Sequence, residues 1–150
     1  MISYWDTSAL IPCFLKEEKT AEMVIALKGT GKDTARFTSW LSVFEFEGVL
    51  RRKLNQKLIS TGEYEMINQK WMTLQASLNF LPLDNRVARM GLRLQKLYSM
   101  RPYDSIQLGS ACLLQLEYPE LTFVCLDHSL SEKALCEGLQ LNSHCTVKLP

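Results

Sequence analysis

The stretch PYDSIQLGSACLLQLEYPELTFVCLDHSLSEKALCEG, residues 102–138, predicts a helix, a strand and a second helix in direct succession. The first helix spans 102–116 and opens with Pro102, in the first helical turn, where proline is tolerated. The run 122–126 is β-branched and aromatic, which is typical of a strand. A short helix follows over 129–137. Strands that alternate with helices in this way indicate a parallel sheet with helices packed on it.

The same alternation extends back to the N-terminus. Further strands are predicted at 2–5, 34–38, 79–83 and 146–149, and further helices at 9–27, 42–58, 60–77 and 85–98. No repeat or linker interrupts the pattern. The sequence therefore predicts one domain over residues 1–150. Its fold is a three-layer α/β/α arrangement with a mostly parallel sheet of about five strands.

Composition excludes several classes of protein. Hydrophobic residues make up 47% and charged residues 22% of the 150 residues, and the formal net charge is +1, so only a local basic patch could attract a polyanion. The five cysteines and two histidines form no zinc-binding spacing. No apolar run is long enough to span a bilayer, and no signal peptide is recognisable. We expect a cytoplasmic protein without membrane contact.

Four carboxylates fall at equivalent places in this pattern. Asp6 follows the first strand and Asp127 follows the strand TFVCL, while Glu45 and Asp104 lie in the first turns of two helices. The carboxyl ends of parallel strands share one edge of a sheet, and ligand sites form there. Asp6, Glu45 and Asp127 go directly to that edge. Asp104 joins them if its helix packs in the same direction.

Each acid also has a purely structural explanation. Asp6 and Asp127 can cap helices, Asp104 can complement a helix dipole, and SVFE at 42–45 has the capping-box pattern, as do STGE at 60–63 and SLSE at 129–132. For any single acid this explanation is the stronger one. Four converging carboxylates, however, would repel one another unless a cation lay among them, and oxygen ligands without His or Cys select Mg²⁺ or Mn²⁺. Such a site suits metal-assisted phosphodiester hydrolysis.

Two glutamates compete for the second acidic position. Glu47 falls on the apolar face of its helix with Val43, Leu50 and Leu54, so hydropathy selects it as the anomalous carboxylate. Position in the first helical turn selects Glu45 instead. Periodicity leaves both open.

Four segments in this order resemble the motifs of PIN-domain proteins. They are YWDTSALI with Asp6, TSWLSVFEFEGVLRRKL with Glu45, MRPYDSIQLGSA with Asp104 and FVCLDHSL with Asp127. The resemblance covers nearly the whole chain and selects Glu45 over Glu47. The short length resembles the VapC-like toxins of toxin–antitoxin pairs.

This resemblance implies a Mg²⁺- or Mn²⁺-dependent ribonuclease. Asp6, Glu45, Asp104 and Asp127 would hold metal, Thr7 and Ser8 would lie beside it, and Ser39 is a weaker candidate of the same kind. It also implies an RNA substrate, a cognate antitoxin and a homodimer. Four residues depart from the family pattern: Cys125 stands for a frequent Thr, Leu126 for a frequent smaller residue, Gln107 for a frequent His and Gly109 for a frequent Ala.

Contact with RNA would need local positive charge and exposed rings. Arg52 lies seven residues after Glu45, so the two side chains point roughly the same way, and Arg101 lies just before Asp104. Both are candidates for phosphate or for pairing with the acids. Trp40, near the same edge, is the tryptophan best placed to stack on a base.

Two rival interpretations remain. A non-catalytic α/β module would keep the acids as helix caps and bind RNA or a protein. A phosphoacceptor receiver domain also carries acids at strand ends, but no acidic pair precedes Asp6 and Lys148 is nearly terminal. Four carboxylates within metal-bridging reach would favour chemistry, and scattered acids, each bonded to the start of its own helix, would favour the module.

Overall fold

The computed structural model describes residues 1–16, 20–29 and 34–143. Within these ranges a five-stranded sheet runs in the order β3-β2-β1-β4-β5, and every neighbouring pair is parallel. The strands are β1 (Ile2–Trp5), β2 (Ala35–Ser39), β3 (Asn79–Leu81), β4 (Thr122–Val124) and β5 (Gln140–Leu141). Because β1 lies at the centre, its carboxyl end has a parallel neighbour on both sides.

Helices connect these strands. They are α1 (Thr7–Leu10), α2 (Thr20–Gly29), α3 (Leu41–Asn55), α4 (Thr61–Gln75), α5 (Asn85–Tyr98), α6 (Pro102–Glu117) and α7 (His128–Cys136), with a 3-10 turn at Ile11–Cys13. In the part of the chain described, no helix combines the length and the apolarity needed to cross a bilayer.

The sheet is buried on both faces. Side chains of successive strand residues point to opposite faces, so Tyr4 and Trp5 enter different cores. Tyr4 packs with residues of α5, α6 and α7, and Trp5 packs with residues of α1 to α4. Both are fully buried. The predicted three-layer α/β/α fold is therefore confirmed.

The segment after β1 differs from its prediction. One helix over 9–27, irregular around Pro12, was expected; the chain forms α1, the 3-10 turn that contains Pro12, and then α2 as a separate helix. Pro12 stands in the first turn of the 3-10 segment and has no N–H with which to continue a helix from α1.

The C-terminal part also differs. A short strand lies at Gln140–Leu141, whereas the strand predicted at 146–149 lies outside the described residues.

One of the three predicted capping boxes forms. Ser60 and Glu63 exchange the expected hydrogen bonds at the start of α4. The helix predicted from Ser129 begins one residue earlier, because Asp127 is its N-cap. In SVFE, the N-cap of α3 is Trp40, so Ser42 lies inside the helix and its hydroxyl is used elsewhere. The capping-box predictions at 42–45 and 129–132 were wrong.

Helices α5 and α6 pack closely at two glycines. A Cβ atom added to Gly109 would lie 2.9 Å from the backbone nitrogen of Gly91, which no real Cβ tolerates. One added to Gly91 would lie 3.2 Å from the carbonyl oxygen of Ser105. The glycine at 109, where the family pattern has alanine, therefore permits the approach that seats α6 against α5.

Candidate active site

A cleft of about 460 Å³ lies at the carboxyl edge of the sheet, and all four predicted acids line it. Asp6 directly follows β1 and Asp127 follows the end of β4. Asp104 lies in the first turn of α6, as expected, whereas Glu45 lies beyond the first turn of α3, because that helix begins at Leu41 and not at Ser42. Helix α6 therefore packs in the direction that brings Asp104 to the other three. The structure unites the four residues in one place, from four separate segments of the chain.

Asp6 both caps a helix and faces the cleft. Its Oδ2 accepts hydrogen bonds from the Ser8 backbone N–H at 3.0 Å, from the Ser8 hydroxyl at 2.5 Å and from the Cys125 thiol at 3.7 Å. Burial raises the pKa of Asp6 to about 6; the bonds from Ser8 oppose that rise, and the nearby Glu45 and Asp104 charges add to it. The thiol at 125 takes a donor position that a threonine hydroxyl could also fill.

Ser8 ties two strand ends together. Its Oγ donates to Asp6 and accepts the backbone N–H of Leu126 at 2.9 Å. Since Leu126 follows β4, this hydroxyl fixes the position of Asp6 relative to the segment that leads to Asp127. Ser8 therefore positions the Asp6 carboxylate in addition to lying at the start of α1.

The other two acids, Asp104 and Asp127, lie at the starts of α6 and α7. Asp127 caps α7 through Oδ1, which accepts the Leu130 N–H at 2.9 Å. Asp104 lies 3.7 Å from the Arg101 guanidinium and is about one-third exposed. Burial raises the pKa of Asp104 and the charge of Asp127 adds to the rise, whereas Arg101 and Lys133 lower it.

Glu45 is held by a buried polar network. Its Oε2 accepts the Thr7 hydroxyl at 2.5 Å and the Gln107 amide Nε2 at 2.8 Å. The Oε1 of Gln107 in turn accepts the hydroxyl of Tyr4 at 2.6 Å. Gln107 is 1% exposed. The residue that departs from the family pattern thus contacts one of the four acids directly.

The direction of each proton in this network follows from its ends. The Glu45 carboxylate and the Trp5 carbonyl only accept, so Thr7 donates to Glu45, and Thr38 donates to Trp5 at 2.8 Å. Ser42 therefore donates to Thr38, at 2.7 Å, and accepts from the Gln107 amide, at 3.0 Å. A flipped Gln107 amide would place two acceptors face to face. No buried side-chain nitrogen or oxygen in the described residues lacks a partner.

Each of the four acids keeps one oxygen free for a ligand. In the described parts of the chain, no hydrogen bond reaches Oδ1 of Asp6, Oε1 of Glu45, Oδ1 of Asp104 or Oδ2 of Asp127. Carboxylate oxygens alone are the donor set of Mg²⁺ or Mn²⁺. Across residues 1–16, 20–29 and 34–143, no three such side chains are gathered closely enough to hold an ion as they stand. Mg²⁺ itself uses one or two protein carboxylates and keeps several waters, so the donor set fits such an ion.

The two competing glutamates have different surroundings. Glu45 lines the cleft and Glu47 does not. The Oε1 of Glu47 accepts Arg51 Nε at 2.7 Å and the Tyr64 hydroxyl at 2.7 Å. Hydropathy selected Glu47 because the apolar stripe of α3 passes beside it, but its charge is neutralised at the surface.

Of the five remaining candidate residues, three line the cleft and two do not. Thr7, Ser8 and Arg52 line the cleft. Arg101 lies beside Asp104 with 85% of its side chain exposed. Ser39 is buried and its hydroxyl accepts the Leu41 N–H at 3.1 Å, so it serves the start of α3 and does not line the cleft.

Sequence reasoning missed the roles of several residues at this site. Gln107 and Ser42 hold Glu45 or its neighbours, and Phe44 and Tyr103 line the cleft. The available signal for Gln107 was a lone amide inside the apolar run SIQLGSA. Nothing in the sequence connected it to Tyr4, which is 103 residues away.

Comparison with known proteins agrees with this arrangement. A family model described as the PIN domain matches residues 3–134. The chain belongs to the PIN-domain family. Among curated proteins, none matches it.

Several solved structures share the fold of this PIN-domain chain. A chain of the VapBC2 structure from Rickettsia felis, bound to a promoter DNA fragment, has a TM-score of 0.69 at 13% identity, over 95% of this chain and 98% of that one. The DNA-bound VapBC structure from Salmonella typhimurium gives 0.66 at 16% identity, over 97% and 99%. A member of the VapBC family of toxin–antitoxin systems from Mycobacterium tuberculosis gives 0.56 at 18% identity, over 94% and 95%. At such low identity, these similarities show the fold alone.

Proposed function

We propose that this PIN-domain protein is a Mg²⁺- or Mn²⁺-dependent endoribonuclease that hydrolyses RNA phosphodiester bonds and acts as the toxin of a toxin–antitoxin pair. One observation carries the proposal. Four carboxylates from four segments line a single cleft, and each presents an oxygen that the protein itself does not use. Membership of the PIN-domain family supports a nuclease.

In this proposal the residues of the cleft have different roles. Asp6, Glu45, Asp104 and Asp127 would hold the ion, directly or through water. When bound, the ion supplies positive charge for the phosphate oxygens and a water of lowered pKa. Thr7 and Gln107 orient Glu45, Ser8 orients Asp6, and Arg52 would meet the phosphate backbone at the cleft.

The partners belong to the same proposal. The structure from Mycobacterium tuberculosis that shares the fold is described as a member of a family of toxin–antitoxin systems, which supports a cognate antitoxin for this chain. We also propose that the protein is a cytoplasmic homodimer. The mass of the purified protein in solution tests whether it is a dimer.

The decisive experiment compares aspartates that share a local role. Asp6, Asp127 and Asp84 all cap helices, but Asp84 lies outside the cleft. Asparagine caps a helix as well as aspartate does, so each Asp→Asn variant keeps its fold. We expect purified wild type to cleave a broad RNA pool with Mn²⁺ or Mg²⁺. Asp6→Asn and Asp127→Asn should lose at least about 100-fold in rate, and Asp84→Asn should cleave normally. Equal rates in all three variants would sink the assignment.

A second pair of variants tests the choice of glutamate. Glu45→Gln removes a charge from the cleft, whereas Glu47→Gln removes one from the surface two residues further on. Only Glu45→Gln should abolish metal-dependent cleavage. The opposite result would reassign the site to Glu47.

The non-catalytic module remains the second candidate, and a specific observation favours it. Asp6 and Asp127 each bond to the start of their own helix, as that interpretation expects. The same two side chains also line one cleft with Glu45 and Asp104. Folded wild type that binds RNA or a protein but cleaves no RNA with either ion would establish the module.

A further inference from the structure

Two aromatic rings stand exposed at the acidic cleft. Phe44 is 71% exposed and Tyr103 is 56% exposed, and both line the cleft. Neither ring stacks on another ring in the described residues, and the Tyr103 hydroxyl makes no hydrogen bond there. Covering an exposed ring removes apolar surface from water, which is favourable, so both rings favour a ligand that packs on them.

The sequence places each ring beside an acid. Phe44 immediately precedes Glu45 near the start of α3, and Tyr103 immediately precedes Asp104 in the first turn of α6. Consecutive Cα atoms are about 3.8 Å apart, so each ring lies within a side-chain length of a carboxylate. Side chains at consecutive helix positions do not face each other, but both rings and both acids line the same cleft, so a chain whose phosphate reaches the acids passes within reach of the rings.

The charges of the cleft indicate which ligand this is. The floor carries four carboxylates and the lining carries one guanidinium, Arg52. A phosphodiester chain that arrives with a divalent ion matches that combination. The flat faces of its bases match the rings, because aromatic side chains stack on bases of any sequence. Bases inside a duplex present no free face.

We infer that Phe44 and Tyr103 are stacking platforms that each hold one unpaired base of single-stranded RNA at the cleft. The inference rests on the proposed ribonuclease function and adds to it two side chains that hold the bases of the substrate. Trp40, the ring expected from the sequence to stack on a base, is 50% exposed but already stacks on Phe80, with centroids 4.7 Å apart. It does not line the cleft.

The test measures binding separately from cleavage. In an Asp6→Asn background with Mg²⁺, fluorescence anisotropy gives the dissociation constant for a labelled 12-nucleotide single-stranded RNA pool and for a duplex of equal length. Phe44→Leu and Tyr103→Leu keep an apolar side chain but remove the face. Phe44→Trp and Tyr103→Trp keep the face. Trp40→Leu is the control for loss of an exposed ring elsewhere.

Each cleft leucine variant should bind single-stranded RNA about 5- to 100-fold more weakly, since one stacked base contributes roughly that factor. The tryptophan variants and Trp40→Leu should stay within about twofold, and duplex binding should not respond. An RNA with abasic sites in place of all its bases should bind the background protein more weakly than either single leucine variant binds intact RNA, because it loses both stacking contacts.

Leucine variants that bind single-stranded RNA as tightly as the background would overturn the inference, and the exposed rings would then fit a protein partner. A background protein that binds no RNA would overturn it as well. Cleavage by wild type, measured in parallel, separates the two proposals: cleavage with unaffected leucine variants keeps the nuclease and removes the platforms. Weakened variants without wild-type cleavage keep the platforms and remove the nuclease.

Discussion

Replacing Gln107 by leucine should destabilise the protein far more than its position on an apolar helix suggests. The side chains are similar in size, so packing changes little. The amide, however, accepts the Tyr4 hydroxyl at 2.6 Å and donates to Glu45 Oε2 at 2.8 Å, and both Gln107 and Tyr4 are buried. Gln107→Leu leaves the Tyr4 hydroxyl without this acceptor and removes one of the two donors to Glu45.

The magnitude is set by the bonds to Tyr4 and Glu45, which are the shortest of those lost; the amide also donates to Ser42 at 3.0 Å and to Thr7 at 3.1 Å. A buried polar group left without its partner costs about 1–3 kcal/mol, and a lost bond to a charged group costs about 1.5–3 kcal/mol. Glu45 keeps Thr7 and faces the cleft, where water replaces part of the loss. We therefore expect the free energy of unfolding to fall by about 2–4 kcal/mol in total, measured from urea unfolding with unchanged m-value.

The same helix supplies a matched control. Gln115 lies on α6 and donates one surface hydrogen bond, to the Gly138 carbonyl at 2.7 Å. Gln115→Leu should change the stability by no more than about 0.5 kcal/mol. In a double-mutant cycle, Tyr4→Phe should cost less on the Gln107→Leu background, with a coupling of about 1 kcal/mol. Equal losses for Gln107→Leu and Gln115→Leu, or strictly additive effects in the cycle, would refute the network as a source of stability.

Three more predictions follow from the packing and charges of the site. Gly109→Ala forces a Cβ to 2.9 Å from Gly91 and should cost about 1–3 kcal/mol of stability, whereas Gly62→Ala, with no atom within 4 Å of the added Cβ, should be neutral or stabilising. Thermal melts compare the two variants, and equal melting temperatures would contradict the close contact. Burial raises the Asp6 pKa from 3.8 to about 6, so between these pH values the folded state binds a proton that the unfolded state has lost, and the free energy of unfolding falls by about 3 kcal/mol as the pH rises from 4 through 6. The difference in the free energy of unfolding between wild type and Asp6→Asn, measured across this pH range, isolates this contribution, and a difference that does not change with pH would disprove it. At pH 8, Mg²⁺ or Mn²⁺ at ten times its dissociation constant should stabilise wild type by about 1.4 kcal/mol and stabilise Asp6→Asn much less, which a melt with and without the ion checks; an equal shift in both proteins would place the ion elsewhere.

Local signals in the sequence predicted most of the architecture. Asn85–Tyr98 has the bounds expected from its Asp84 cap and its apolar spacing, and β1 has the bounds expected from its short apolar run. Such signals act over a few residues, where hydrogen bonding and side-chain periodicity decide the conformation. They fail where one residue type has two uses. Ser42 matches a capping box in the sequence, yet its hydroxyl is committed to Thr38 and Gln107.

The sequence by itself determined the order of strands and helices, and with it the edge of the sheet at which Asp6, Glu45 and Asp127 lie. Only the tertiary structure decided that α6 carries Asp104 to the same cleft and that Gln107 joins Tyr4 to Glu45. The physical reason is that strand direction and helix periodicity are local properties of the chain. The contact between Gln107 and Tyr4 joins α6 to β1 across 103 residues of sequence, so it exists only once the helix has packed on the sheet.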